Sequence, residues 1–360
     1  MAAPSYRGAA GRRGRAPDAV GAALLAGSAV WALISAAGRE GRPEGVLLAV
    51  LAVTTGYVVG RIGGSLVPVA TASAMALVWL AGAIASSQET FGTAVSAASP
   101  PGDSGAVAAL LVLAGGAACC AGAGARRASA RLAARLLALA IAGCALLLGS
   151  VVGFIAALGV LLCSLAAARM RARFLGLAGY ALVTVVVVGA SWAVAERALP
   201  EGLTVSLEGQ LTPHRAELWH DAAELARERP GRGAGPDRFG DLSPAAAGSL
   251  DGDGKPHSAP LQQAAEQGAV GVVLLGGLYG WWLYALGRSP CSTPVILTAG
   301  AALTALAALA TVGNALSFTQ VTAGAGLLAG LATARPAAGD GPDAAPGRTG
   351  GARAGAAAEV

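Results

Sequence analysis

Charge is scarce in this chain. Only 12% of its 360 residues are Asp, Glu, Lys or Arg, and lysine occurs once, at Lys255. A soluble domain carries roughly a quarter charged residues, so this composition excludes an ordinary soluble enzyme. Histidine occurs three times, at His214, His220 and His257. The cysteines, Cys119, Cys120, Cys144, Cys163 and Cys291, avoid the polar stretch that holds the histidines. That placement excludes a disulfide framework, and no spacing matches a zinc site. The cysteines read as small apolar fillers. The net charge of +5 sits largely on arginines flanking apolar runs and requires no nucleic-acid partner.

What is abundant is apolar sequence. Hydrophobic residues make up 55% of the chain and the mean hydropathy is +0.62. Apolar runs lie near 20–37, 45–60, 65–85, 105–125, 132–149, 151–168, 174–195, 269–287, 294–312 and 318–334. Runs of about 18 or more residues are spanning candidates. The expected fold class is therefore an all-α polytopic membrane protein, with each of these runs a transmembrane helix. Leu136 to Ala168 is too long for one helix, and Gly149-Ser150 is the natural turn within it. The arginines ahead of the first run (Arg7, Arg12, Arg13, Arg15) resemble a signal peptide, but a second run follows at once, so a retained span is expected. Glycines recur inside the runs, which suits close helix packing in lipid.

Arginine asymmetry sets the expected orientation. The basic N-terminus, Arg61, the Arg126 to Arg131 loop, the Arg169 to Arg173 loop, Arg288 and Arg335 share one side, which reads as cytoplasmic. The other side receives 86–104, without Lys or Arg, and the long loop 196–268. One short loop departs from the pattern: it carries Arg39 and Arg42 together with Glu40 and Glu44. The expected organisation is a basic cytoplasmic N-terminus (1–19), seven helices (20–195), an extracytoplasmic loop with short helices (196–268), three helices (269–334) and a disordered cytoplasmic tail (335–360).

The long loop holds all three histidines and the lysine. Thr212-Pro213 reads as an N-cap with proline at the first helical position. Leu218, Ala222 and Leu225 then recur at helix spacing, with Trp219, Ala223 and Ala226 alongside, until Pro230-Gly231 stops the helix. Arg215 and Trp219, four apart, share a face. Tryptophan there suggests a helix at the bilayer surface, with Arg215 at headgroup depth or simply solvated. Gly231 to Gly235 is glycine-rich but lacks the preceding strand and the lysine of a nucleotide loop. It reads as a turn, with Arg232 and Arg238 as available anion ligands. Asp251 and Asp253 begin a calcium-like pattern that is not completed. His257 follows Pro256 and precedes a helical stretch from Leu261 to Gln267 that enters the next span, a position suited to a general base. A lone loop histidine is equally compatible with plain polar surface.

In order and spacing, Arg215, Trp219, Pro230, Gly233, Gly235, His257, Leu261, Gln262, Glu266 and Gly268 resemble the signature of the O-antigen ligase and polymerase family of bacterial membrane glycosyltransferases. The resemblance runs from about Leu136 to Ala334 and includes the Gly149 to Gly153 turn and the Gly313 to Gln320 link. Two departures stand out: valine follows Ser150 where the family has arginine, and Ser258 follows the histidine where asparagine is usual. The resemblance implies transfer of a glycan from an undecaprenyl-diphosphate carrier to an acceptor hydroxyl of a glycan, lipid or wall component at the outer face of the membrane. It implies His257 as base, and Arg215, Arg232, Arg238, Trp219 and Glu266 as substrate-binding residues, without metal or cofactor. Two other readings stay open: a flippase or transporter of lipid-linked sugars, and a non-catalytic scaffold that binds a surface polymer. Coupled transporters keep ionisable groups inside their spans, and these spans hold almost none.

Overall fold

The computed structural model describes residues 7–92, 103–198, 213–247 and 254–335. Thr212, Asp251, Asp253 and the tail from Pro336 lie outside them. The described residues form helices and turns with no strand. Seven helices precede the long loop: α1 (Arg7–Ala36), α2 (Glu44–Leu66), α3 (Pro68–Gly92), α4 (Asp103–Gly124), α5 (Ala128–Leu147), α6 (Val151–Ala167) and α7 (Arg173–Ala195). The loop contributes α8 (Pro213–Glu228) and two single turns, α9 (Phe239–Leu242) and α10 (Pro244–Ala247). Then come α11 (Ala259–Gly287), α12 (Thr293–Val312), a 3-10 turn at Ala315–Ser317 and α13 (Thr319–Thr333).

Helices thus fall on every apolar run. Among the described residues eight of them, α1 to α5, α7, α11 and α12, are long and apolar enough to cross a bilayer. The protein is a polytopic helical membrane protein. The seventeen-residue α6 is shorter though apolar, and α13 has 15 residues. The break between α5 and α6 falls at Gly149, whose φ of +75° only glycine adopts at little cost. Gly149 N–H bonds the Leu146 carbonyl and Ser150 N–H bonds that of Ala145, the paired bonds of a Schellman stop. Ser150 Oγ then caps α6 by accepting from Gly153 N–H at 3.1 Å.

A helix apolar on all sides belongs in the middle of a bundle. Of the span in α4, 94% is buried in protein, against 11% for α7, so α4 is the central post. On the periphery Leu51, Leu136, Leu147, Phe174, Leu182 and Val273 are exposed, forming the belt that lipid covers. The tightest seam joins α2 to α13. Gly56 and Gly60 press on the backbone of Ala323 and Leu327, while Gly326 and Gly330 press on that of Val53 and Tyr57. A Cβ on Gly60 would stand 2.1 Å from the Leu327 carbonyl oxygen, and one on Gly330 would stand 2.2 Å from that of Tyr57. Small residues at i and i+4 on both helices make this approach possible.

Polar contacts sort the helix ends onto two faces. On one, Arg215 donates to Val312 O, Arg232 to Ile34 O, and Arg42 N–H to Pro236 O. On the other, Arg61 pairs with Asp18 at 2.9 Å, Trp281 Nε1–H donates to Pro17 O, Arg173 to Ser289 O, and Ser289 to Ala332 O. The loop helices and the α1–α2 connection therefore share a face, and Arg61, Arg173 and the α13 end lie opposite.

The α2–α13 seam makes a direct prediction. Gly60→Val forces these backbones apart and destabilises the protein by about 1–3 kcal/mol or more. Gly179→Val on α7, where a Cβ meets no atom within 4 Å, is tolerated. Thermal unfolding in detergent checks both, and an equal melting temperature for Gly60→Val and wild type contradicts the seam.

Candidate functional site: an outer domain stitched to a broken helix

The loop residues that lie outside the helix bundle have their own small core, an outer domain relative to the bundle. Leu218, Trp219, Ala222 and Ala223 of α8 pack against Phe239, Ala246, Leu261, Ala265 and Ala195. The periodicity of α8 is as expected, and its Trp219 is 1% exposed, enclosed within this core. The helix is amphipathic because it packs on Phe239 and Leu261, residues distant in sequence. Its indole N–H has no partner among the described residues. The Asp221 carboxylate accepts from Ser243 Oγ at 2.5 Å and from Ala245 N–H at 3.1 Å, tying α10 to α8. Arg227 holds Glu196 through two nitrogens, which lowers the Glu196 pKa and raises that of Arg227. The ring of His220 is anchored too, with Nδ1 3.0 Å from Ala195 O.

The glycine-rich segment is a splice. At 1.5 Å per residue α11 is about 43 Å long, more than the ~30 Å of a hydrocarbon core. It breaks at Gly268, where φ is +68° and ψ is −164°. The part beyond the break, from Ala269, rises about 28 Å and suffices as the span. The part before it, Ala259 to Gln267, belongs to the outer domain. Ala269 N–H leaves the helical ladder for Pro230 O at 2.8 Å. The carbonyls before the break take donors from elsewhere. Ala265 O accepts from Ala234 N–H at 2.7 Å, Glu266 O from Gly235 N–H at 2.8 Å, and Gln267 O from Trp31 Nε1–H at 3.0 Å. These residues are buried, and each orphaned carbonyl there costs about 1–3 kcal/mol. A Cβ on Gly233 would stand 2.3 Å from the Glu266 carbonyl carbon, so glycine is required for this approach. The segment is a turn, as its composition suggests, and its amide groups serve the protein's own helix.

Beneath the splice lies a cavity of about 490 Å³. Its inner wall is apolar, built by α1, α2, α7, α11, α12 and α13 through residues such as Leu25, Val50, Val188, Leu278 and Leu303. Its outer end is polar, with Arg42, Asp237, Lys255, Gln263 and Glu266. Two of its donors, Gln267 Nε2 and Trp282 Nε1, are buried without a hydrogen-bond partner among the described residues. The cavity is thus apolar within and charged at its outer end.

Residues 136–276 match the family model described as O-antigen ligase. Over this stretch the chain is similar to O-antigen ligases. The stretch spans α5 to the middle of α11 and so contains the outer core, the splice and one side of the cavity. No curated protein and no solved structure matches the chain. Similarity to O-antigen ligases in a multi-pass membrane protein supports a role in ligating or polymerising surface polysaccharide.

Within and around the ligase-like stretch, the site residues expected from sequence fall in several places. Glu266 lines the cavity, 4% exposed, and accepts from Gln262 Nε2 at 3.2 Å. Burial raises its carboxyl to about 7. His257 is buried, with φ of +52°, between the cavity residues Lys255 and Ala259. The hydroxyl of Ser258 beside it is buried and has no partner among the described residues. Arg215 reaches Val312 O at 3.2 Å, next to the cavity residues Thr311 and Gly313, and desolvation lowers its pKa. Neither His257 nor Arg215 forms the cavity surface itself. Arg232 is engaged with Ile34 O and Ala37 O at the end of α1. Arg238 pairs with Glu40 at 2.6 Å and with Asp241 at 3.4 Å. The ligase-like signature omits Arg42 and Lys255, the two cations in the cavity wall. The irregular charges of the α1–α2 connection, where the arginine asymmetry fails, were the signal for the first.

Glu266 predicts a pH dependence of stability. An ordinary glutamate titrates near 4.5, and the folded value is about 7, so between these the folded state holds the extra proton. Stability therefore falls as pH rises through that window. Thermal unfolding between about pH 5 and pH 8 shows a declining melting temperature, and Glu266→Gln flattens the slope. An unchanged slope in Glu266→Gln assigns the dependence to another group.

Proposed function

We propose that the protein transfers a glycan from a polyprenyl-diphosphate carrier, of the undecaprenyl type, to an acceptor hydroxyl at the outer face of the cytoplasmic membrane. The cavity supports this reading: an apolar slot between spans, with Arg42 and Lys255 set among the carboxyl groups of Glu44, Asp237 and Glu266 at one end and the ligase-like stretch over it. The carrier's hydrocarbon lies among Leu278, Leu303 and their neighbours, and its diphosphate meets Arg42 and Lys255. The arginines of the short loops favour a cytoplasmic position for the face opposite the outer domain.

The acceptor oxygen attacks the anomeric carbon, the bond from that carbon to the diphosphate oxygen breaks, and the configuration inverts. The acceptor proton passes to His257, whose unusual backbone and burial at the cavity's outer end suit a fixed base. Arg215 stabilises the departing diphosphate from the α12 end. A guanidinium keeps its charge when desolvated and can bind two oxygens at once. Arg232 and Arg238 act from the rim, where their present partners hold them. The reaction needs no metal, since the leaving-group charge is met by guanidinium and ammonium groups.

Transfer of a labelled lipid-linked glycan by purified protein tests this. His257→Ala lowers the rate by about a hundredfold or more and leaves the carrier-bound donor on the outer leaflet in cells. Arg215→Lys lowers it by roughly tenfold, because charge remains but the paired geometry is lost. Melting temperatures near wild type exclude misfolding as the cause. Full activity in a folded His257→Ala protein removes His257 from the chemistry. Donor trapped on the inner leaflet in its absence makes the protein a flippase.

A further inference from the structure

The ledge over the cavity mouth has a second side. Arg42, Pro236 and Asp237 face the cavity. Their neighbours Arg39, Glu40, Ala234 and Arg238, with Arg229 and Leu242, line a separate open cleft of about 370 Å³. Three guanidiniums therefore converge there against the carboxylate of Glu40 in the lining and that of Asp241 beside Arg238. Two are fixed by the fold. Arg39 donates to Gly233 O at 2.6 Å, which places it through the splice, and Arg238 is held between Glu40 and Asp241. The third, Arg229, stands at the end of α8 and belongs to none of the ion pairs among the described residues. Glu40 is itself 89% exposed in its side chain, so an entering anion displaces it at little cost.

We propose that this cleft is a binding site for an acidic glycan, one bearing sugar carboxylates or phosphodiesters, separate from the donor's diphosphate position. Two features select a glycan over a lipid headgroup. Ala234 and Leu242 are the only apolar residues in the lining, the rest of its apolar surface being arginine stems that end in charge. The cleft also shares its ledge with the cavity mouth, so a sugar chain leaving or approaching the mouth passes it. Planar guanidiniums pair with carboxylate and phosphate oxygens bidentately, and three of them grip a repeating acid along a chain. The identity of the glycan as substrate rests on the transferase reading. The existence of the anion site does not.

The test is equilibrium binding to the purified full chain in neutral detergent. The probes are a hexasaccharide of alternating glucuronate and N-acetylglucosamine, its carboxyl-reduced neutral counterpart, and a phosphodiester-linked oligosaccharide of equal length. At least one acidic probe binds in a salt-sensitive manner, the neutral one does not, and Arg229→Glu weakens binding by tenfold or more. Arg229 is an exposed helix-end residue, and an unchanged melting temperature confirms that the variant folds. Equal binding of acidic and neutral probes, or binding indifferent to Arg229→Glu, overturns the proposal. So does Arg229-dependent binding to phosphatidylglycerol nanodiscs without binding of any oligosaccharide, which makes the cleft a lipid site. Binding that holds while glycan transfer fails leaves this site standing and removes the transferase reading. The converse result removes only the site.

Discussion

Three backbone carbonyls, those of Ala265, Glu266 and Gln267, hold the functional half of this protein together. They stand just before the Gly268 break, buried, and their donors come from Ala234, Gly235 and Trp31. One donor lies on α1 and two on the glycine turn after α8. A break in a buried helix is tolerated only if its freed polar groups are met again, and here the chain meets them with segments far apart in sequence. The same bonds fix where α11 leaves the outer domain and enters the helix bundle.

The position of the cavity mouth follows from that splice. The turn that supplies Ala234 and Gly235 continues into Pro236 and Asp237 at the mouth, and Arg42 N–H ties the α1–α2 connection to Pro236 O. Arg39 and Arg232 fasten the same connection from either side. Glu266 combines two roles: its carbonyl accepts from the turn and its carboxyl faces the cavity. Loosening the turn moves the charged end of the cavity, so stability of the outer domain and geometry of the site are one problem here. The close α2–α13 seam supports the opposite wall, because α2 carries Val50 and Val53, and α13 carries Thr322 and Ala325, into the cavity lining.

Much of the fold is legible in the sequence because apolar runs and the glycine that turns between two of them are local signals. Gly149 marks the α5–α6 turn and Pro230 the end of α8. The glycines of α2 and α13 announce close packing without naming the partner. The site is legible only in part. His257, Arg215 and Glu266 stand out because titratable groups are rare, but nothing local says that Glu266 reaches the cavity surface while His257 and Arg215 sit just behind it. Trp219 suggests an interfacial anchor because an amphipathic helix displays its apolar face without revealing what covers it. Trp31, Arg39 and Arg42 escape notice since their partners lie some 200 residues away. Their trace is an exception: two arginines and two glutamates in a short loop on the side whose other short loop, 86–104, has no arginine.

Amide hydrogen exchange at the splice tests the central claim most directly. The Ala234 and Gly235 N–H groups, though in a glycine-rich turn, are expected to exchange as slowly as amides within α8. Gly233→Ala, which drives a Cβ into the Glu266 backbone at a left-handed position, is expected to release them to loop-like rates. Fast exchange of both amides in the wild-type protein, or protection unchanged by Gly233→Ala, contradicts the account.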